Sequence, residues 1–517
     1  MAIDVSTTHE PESSAWCEVA PRVALVWVLF IAFALRFYDI ERNPPELFED
    51  ELAGAASAWS IVTTGHDVAD THLPFLVTRL ELKQPIYGFA TVPFQAALGR
   101  TILAVRLPAI IFGVLTTWLI YWLARTLGRR PWESIVAAAL FAIVPWAVHY
   151  GRIGWEPSAV LPFTVAGAGL LWDGLARHRT ALIVAAATLL ALGAYAYQPA
   201  LFVHAVLAAV IVVAVTRHVR RGDVLALAGG GIAAVAILVP YGLAFADPLF
   251  TRRTATISVF RDGFNASALG AIWDHYWAQW NPRYLFFDGT ANLRNEPAMG
   301  VLLPILLPFL VLGVAMVVRR RSPVDIMVGG WLLVGPLGAA LTDDGVPHFA
   351  RGIFALPAII LACTLGAGAA WNLVGRIAGR GRVRDLATVG VGVLLVVSLV
   401  TTYRFYFDEY PQLSGGSWRV GTGAAMGLVR DDVPDGSIVC IDPAATSYWT
   451  FPQFVAWYLP AKAVTVVEGV DDPRCAGPGA YLLGHPDAKV SQPAVVVAAV
   501  DDAGGAPAFV LWRIGPA

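Results

Sequence analysis

Charge is what this sequence lacks most. Only 14% of its 517 residues are Asp, Glu, Lys or Arg, while 57% are hydrophobic, too little charge to coat a soluble protein of this length. Lysine is reduced to Lys83, Lys462 and Lys489, and a net charge of −2 offers no basic face for nucleic acid. The polar, acidic stretch 1–21 lacks the basic start of a secretory signal and is expected to be a cytosolic N-terminal tail. There is no GxxxxGKS/T loop and no strand-linked GxGxxG, so no nucleotide site is expected. HExxH and clustered His/Cys ligands are missing too, and no metal site is read from the residues. No paired internal repeat is visible, which counts against the secondary transporters built from two related halves.

What is present is a series of apolar runs of spanning length. Eleven are read, near 22–38, 106–126, 133–149, 158–175, 181–197, 200–216, 224–246, 300–318, 325–341, 352–371 and 386–403. One set of the loops between them carries Arg125, Arg129 and Arg130; Arg177 and Arg179; Arg217, Arg220 and Arg221; Arg319, Arg320 and Arg321; and Arg376, Arg380, Arg382 and Arg384. By the positive-inside rule this set is cytosolic. The long segments 39–105, 247–299 and 404–517 then fall outside. The expected architecture is a polytopic α-helical protein of the plasma membrane, with a transmembrane domain over 22–403 and an extracytoplasmic α/β domain over 404–517.

Within the first outer segment, 85–98 reads as a helix lying in or re-entering the interface. The tail alternates candidate helices (418–429, 448–459) with β-rich runs (438–441, 464–467, 495–500, 509–514). Cys440 and Cys475 share this tail; they either pair in an oxidising compartment or are two separately buried thiols. Gly229, Gly230 and Gly231 lie in an apolar run, where close helix packing is the expected use.

The acids Glu49, Asp50 and Glu51 follow the first span directly. Beside a bilayer, desolvation and like-charge neighbours raise a carboxylate toward the pH at which it serves as a general base; three acids after a helix are also an ordinary solvated face. The landmarks around them run in order: Arg36, the pair Asp50-Glu51, TGHD at 64–67, QPIY at 84–87 and RLP at 106–108, then HYGRIGWEP, NPRYLFFDGTANLRNEP and PHFARGIFALP. This series resembles the GT-C membrane glycosyltransferases of the protein O-mannosyltransferase and aminoarabinose-transferase type. Two departures are an extra acid, Glu49, before the pair, and Gln84-Pro85 where many relatives have Pro-Pro.

The resemblance implies an inverting transfer of a sugar from a polyprenyl-phosphate carrier to a hydroxyl of a lipid, glycan or protein acceptor at the outer face. It assigns the base to Asp50 and a site-orienting role to Glu51. A departing lipid phosphate needs cationic or hydrogen-bonding partners; Lys83, His348 and Arg351 are the candidates, with interfacial anchoring as the alternative for each. Arg36 and Arg106, at outer span ends, are candidate ion-pair partners of the acids. Asp67, Tyr87 and Arg283 are supporting candidates, Arg283 and Arg294 in one loop are candidates for binding carrier or acceptor with ordinary exposed loop arginines as the alternative, and Arg152 with Glu156 reads as a self-contained structural pair. The chemistry requires no cofactor, and a divalent ion is compatible with it. Two rivals are a lipid-linked-sugar transporter or flippase, which predicts charges along a path within the spans, and a non-catalytic glycan-binding membrane protein.

Overall fold

The computed structural model describes residues 12–515 except 69, 71, 73–83, 247–250, 252–254, 290–292, 295–296, 378–380, 443–454, 456, 460–461, 470, 489, 491–492 and 502–506. Its long helices are α1 (Glu12–Phe37), α2 (Glu49–Thr64), α3 (Pro85–Leu98), α4 (Ile102–Thr126), α5 (Pro131–Ile143), α6 (Pro145–Tyr150), α7 (Pro157–Ala176), α8 (Thr180–Ala196), α9 (Ala200–Val215) and α10 (Arg221–Ala244). They continue with α11 (Ala266–Ala278), α12 (Leu307–Arg320), α13 (Pro323–Val334), α14 (Leu356–Ile377), α15 (Arg382–Arg404) and α16 (Thr422–Asp432). Every run read as a span contains a helix, although in 300–318 the α-helix starts only at Leu307. Eight helical stretches among the described residues are long and apolar enough to cross a membrane, while α5, α8 and α12 are shorter. Helix α1 begins ten residues before the expected span, because Pro21 lies inside it rather than ending it.

Burial separates lipid-facing helices from central ones. The apolar window of Asp385–Ser414 is 0% buried and those of Val19–Phe37 and Arg221–Ala244 only 17%, against 72% for Pro157–Ala176 and Phe349–Arg376. On α15, Leu386, Val389, Val393, Val396 and Val400 are all exposed, a surface that only hydrocarbon would wet favourably. The chain is therefore a multi-pass membrane protein. Around the buried α7 and α14, Trp146 and Trp331 fill the interior. Of the glycine triple, Gly230 sits against α8, where an added Cβ would touch Ala187, while Gly229 and Gly231 face open space.

The Arg-bearing turns converge. The α4–α5 turn, the α12–α13 turn and the end of α14 share one cleft containing Arg129 and Arg320. His178 Nδ1 lies 2.7 Å from Asp223 Oδ2, which ties the α7–α8 turn to the start of α10.

The tail builds a five-stranded sheet in the order β2-β1-β3-β5-β4, from β1 (Ile438–Ile441), β2 (Thr465–Glu468), β3 (Tyr481–Gly484), β4 (Ala494–Asp501) and β5 (Pro507–Ile514). β1 pairs in parallel with β2 and β3, and β5 is antiparallel to β3 and β4. Strand alternation sends Val439 and Ile441 toward α16, while Cys440 faces the other side and is bonded to Cys475. The central strand β3 was not among the expected strands: its four residues, YLLG, are buried on both faces and show no alternation. The helix expected over 418–429 starts only at Thr422, after a turn at 415–421; most of 448–459 lies outside the described residues.

Candidate active site

The acids stand in the first turn of α2, where the helix dipole favours negative charge. Glu51 is fully enclosed. Its Oε1 accepts from Arg106 Nε at 3.0 Å and the Gly154 amide at 2.7 Å, and its Oε2 from Arg106 Nη2 at 3.1 Å and the Phe48 amide at 3.1 Å. Arg106 spends its remaining donors on the carbonyls of Ile40 (2.9 Å), Pro44 (2.7 Å) and Glu46 (2.7 Å). One guanidinium from α4 thus fixes the loop that leads into α2. An added Cβ at Gly154 would press on Glu51 Oε1 at 3.1 Å, so the GRIGWEP glycine keeps this approach open.

Asp50 lines a small cleft with Phe48, Glu51, Ile153, Trp155, Arg294 and Trp418. These side chains come from four separate stretches: the α2 start, the segment before α7, the second outer loop and the tail. The Arg294 guanidinium lies 4.0 Å from the centre of the Phe48 ring, and its buried Nε has no hydrogen-bond partner among the described residues. Of the two arginines in that loop, Arg294 rather than Arg283 lines the Asp50 cleft; Arg283 is exposed and paired with Asp288 at 2.7 Å. No spacing in NPRYLFFDGTANLR distinguishes them. Trp418 is likewise absent from the sequence expectation, because a tail residue more than 360 positions away carries no local signal.

Arg36 is not a partner of the acids. It donates to the carbonyls of Ala32 (2.9 Å), Ala142 (3.1 Å) and Ala147 (3.1 Å), with its stem held against Gly113 and Gly151. Arg152, expected to pair with Glu156, instead faces the end of α1 and the following turn, donating to the carbonyls of Leu35, Arg36, Tyr38, Asp39 and Asn43. A cation suits these carbonyls, which the helix itself leaves without donors. Arg36, Arg106 and Arg152 therefore all knit backbone segments together.

His348 and Arg351 are buried at a helical turn over 349–352, outside the Asp50 cleft. Arg351 Nη2 pairs with Asp344 at 2.9 Å, and its buried Nη1 has no hydrogen-bond partner among the described residues. A row of rings joins the two places: Trp155 lines the cleft and stacks on Tyr150 (6.2 Å), Tyr150 on Phe349 (5.2 Å), and Phe349 lies against Trp146 (5.1 Å). Tyr87 is buried and donates to the Val105 carbonyl at 2.9 Å, supporting α4 beside Arg106. Asp67 is buried just after Gly65, whose φ of 77° ends α2. Lys83 lies outside the described residues. Among the described residues no three His, Cys, Asp or Glu side chains group closely enough to hold a metal ion.

The tail closes the site from above. Glu46, beside the acids, lies within 3.4 Å of the Tyr458 hydroxyl, and Arg100 donates to the Trp457 carbonyl. Burial pushes the Glu46 carboxyl above the usual carboxylate range, and burial together with the Glu46 charge pushes the Tyr458 hydroxyl well above its ordinary value.

Residues 83–243 match the family described as dolichyl-phosphate-mannose-protein mannosyltransferase. No curated protein matches the chain in sequence. Among solved structures, the chain is similar to ArnT from Cupriavidus metallidurans in the apo state, with a TM-score of 0.57 and 15% identity over 98% of this chain and 100% of that one. The same enzyme bound to undecaprenyl phosphate gives 0.56 and 15% over the same shares. The archaeal oligosaccharyltransferase AglB from Archaeoglobus fulgidus, in complex with an inhibitory peptide and a dolichol-phosphate, gives 0.54 and 15% over 91% of this chain and 70% of that one. The chain thus carries, within a fold shared with ArnT and AglB, a segment of 83–243 that matches the mannosyltransferase family.

Proposed function

We propose that the protein moves a sugar from a polyprenyl-phosphate carrier to an acceptor hydroxyl on the outer side of the membrane, with inversion, and that Asp50 is the base. The observation that carries the assignment is the state of Glu51. Both of its oxygens are engaged by four buried donors, so it positions the α2 turn and has no lone pair to spare for a substrate proton. Of the Asp-Glu pair, the proton acceptor is then Asp50, which lines the cleft.

In the step itself, Asp50 takes the acceptor proton as the acceptor oxygen bonds to the anomeric carbon. The bond from that carbon to the carrier phosphate breaks, and the phosphate leaves with the electron pair. Arg351, whose buried Nη1 has no hydrogen-bond partner among the described residues, and His348 beside it are suited to face that phosphate, and Lys83 is a further candidate by its charge. Similar folds holding undecaprenyl phosphate and a dolichol-phosphate support a lipid-linked donor. The Cys440–Cys475 bond supports an oxidising, outer location for the tail. We further propose a cytosolic N-terminus, domain limits of 22–403 and 404–517, and a reaction that needs no cofactor.

The test is a panel of polyprenyl-phosphate sugars incubated with purified protein, with mass spectrometry to identify the donor consumed and the product formed. Asp50→Asn keeps the shape but not the proton affinity, and turnover should fall roughly 100-fold or more while donor affinity survives. Lys83→Ala should instead weaken donor binding. Near-normal turnover of Asp50→Asn would defeat the base assignment, and consumption of no donor would defeat the reading as a whole.

A further inference from the structure

Glu49 is the acid that the family resemblance does not require, and the transfer step gives it no task. Its Oε1 lies 2.8 Å from Arg419 Nε. The N–H is not aligned on the oxygen as a hydrogen bond, so the contact is one of charge. Arg419 stands in the turn before α16 with φ at 53°, a left-handed conformation that a non-glycine residue adopts only when its surroundings hold it there.

The neighbouring residue supplies that hold. Trp418 is fully buried, lies edge-on to Phe48 with ring centres 6.1 Å apart, and donates its indole N–H to the Tyr410 hydroxyl at 2.9 Å. Tyr410 in turn donates to the Leu293 carbonyl at 2.7 Å, next to Arg294. The turn at 415–421 therefore touches the α2 start through Glu49, the residue preceding α2 through Trp418, and the second outer loop through Tyr410 and Leu293. All three border the Asp50 cleft.

We infer that Arg419 is a positioning residue for the transfer reaction, which cancels the charge of Glu49 so that Asp50 accepts its proton beside neutralised neighbours. The inference rests on the reading of Asp50 as the base. Asp50 stands between two acids in one helical turn, and two bare carboxylates beside it would make its own ionisation costly. The charged groups around it are Glu49 and Glu51 on its own turn, Arg106 on α4, Arg294 in the second outer loop and Arg419 in the tail. Arg106 balances Glu51, and Arg419 balances Glu49. The extra acid and the tail arginine thus form a matched pair that ties the tail to the base.

The experiment follows protonation of Asp50 by pH-difference infrared spectroscopy of the full-length protein in detergent, taking as its signal the carboxylic-acid band that Asp50→Asn removes. This readout needs no substrate. In Arg419→Ala the loss of the cation beside Glu49 should raise the titration midpoint by about half to one pH unit. Glu49→Gln, which leaves Arg419 uncompensated, should lower it. The double variant should return near the wild-type midpoint, and Arg419→Lys should hold it there. The acid limb of the transfer rate should move with the midpoint.

An unmoved midpoint in both single variants would overturn the inference, as would a double variant displaced as far as Arg419→Ala. Should Arg419→Ala fail to fold, the isosteric Glu49→Gln decides by the direction of its shift. Turnover of Asp50→Asn is measured alongside: if it is near normal, the base reading has failed, whereas a dead Asp50→Asn with unmoved midpoints sinks the role of Arg419 alone.

Discussion

Arg106 has zero exposure and still makes five hydrogen bonds at normal distances, two to Glu51 and three to carbonyls of the loop before α2. Removing it would strand a buried carboxylate and three carbonyls. Arg106→Ala should therefore destabilise the start of α2 and the loop before it by about 3–5 kcal/mol, seen as a fall of several degrees in the melting temperature of the detergent-solubilised protein. Arg106→Lys should rescue little, because an ammonium cannot bond both oxygens in parallel; an unchanged melting temperature in either variant would remove the structural role given to the pair. The acids were legible in the sequence through their order among the other landmarks. The division of labour between Asp50 and Glu51 was not, because it depends on an arginine 55 positions away and on the Gly154 amide.

At the scale of elements, the decisive contact is between the tail and the loop before α2. Glu46 carries a pKa raised by burial, so the folded protein binds a proton more tightly there than the unfolded chain does. The stability contributed by this junction is full below the ordinary glutamate value and is lost as pH rises through the raised folded value. Hydrogen exchange at 455–459 and 422–426 should accordingly speed up with pH beyond its intrinsic dependence, and Glu46→Gln should abolish that excess; an excess that persists in the variant would place its cause elsewhere. Within the tail, the Cys440–Cys475 bond closes a span of 35 residues and should contribute about 3–4 kcal/mol to the sheet domain. Its reduction, or Cys475→Ser, should lower the tail's urea midpoint while leaving the helical bundle intact, as monitored by tail proteolysis.

At the scale of the whole molecule, the proposed outer site lies apart from two of the arginine-rich turns. The α4–α5 turn, the α12–α13 turn and the end of α14 meet in one cleft, while the acids, Arg294 and Trp418 meet in another. Single cysteines at Thr64 and Gly415 should react with an impermeant maleimide applied to intact cells, and one at Gly128 only after permeabilisation. Labelling of Gly128 alone in intact cells would invert the proposed orientation and with it the outer-face reaction.

The sequence by itself determined the class of molecule, the positions of its long helices and the place of the acids. These depend on runs of apolar residues, on the bias of arginine between loops and on the order of short motifs, all of which are local properties of the chain. Only the tertiary structure decided which charges meet. Arg36 and Arg152 were free to be ion-pair partners in sequence and became donors to backbone carbonyls, Arg294 but not Arg283 came to line the Asp50 cleft, and Trp418 and Arg419 arrived from the tail. β3 became the centre of the sheet although four apolar residues carry no period. A side chain's partner across hundreds of residues is set by how helices pack and by which buried polar groups must be satisfied, and neither constraint is written in any local stretch of the chain.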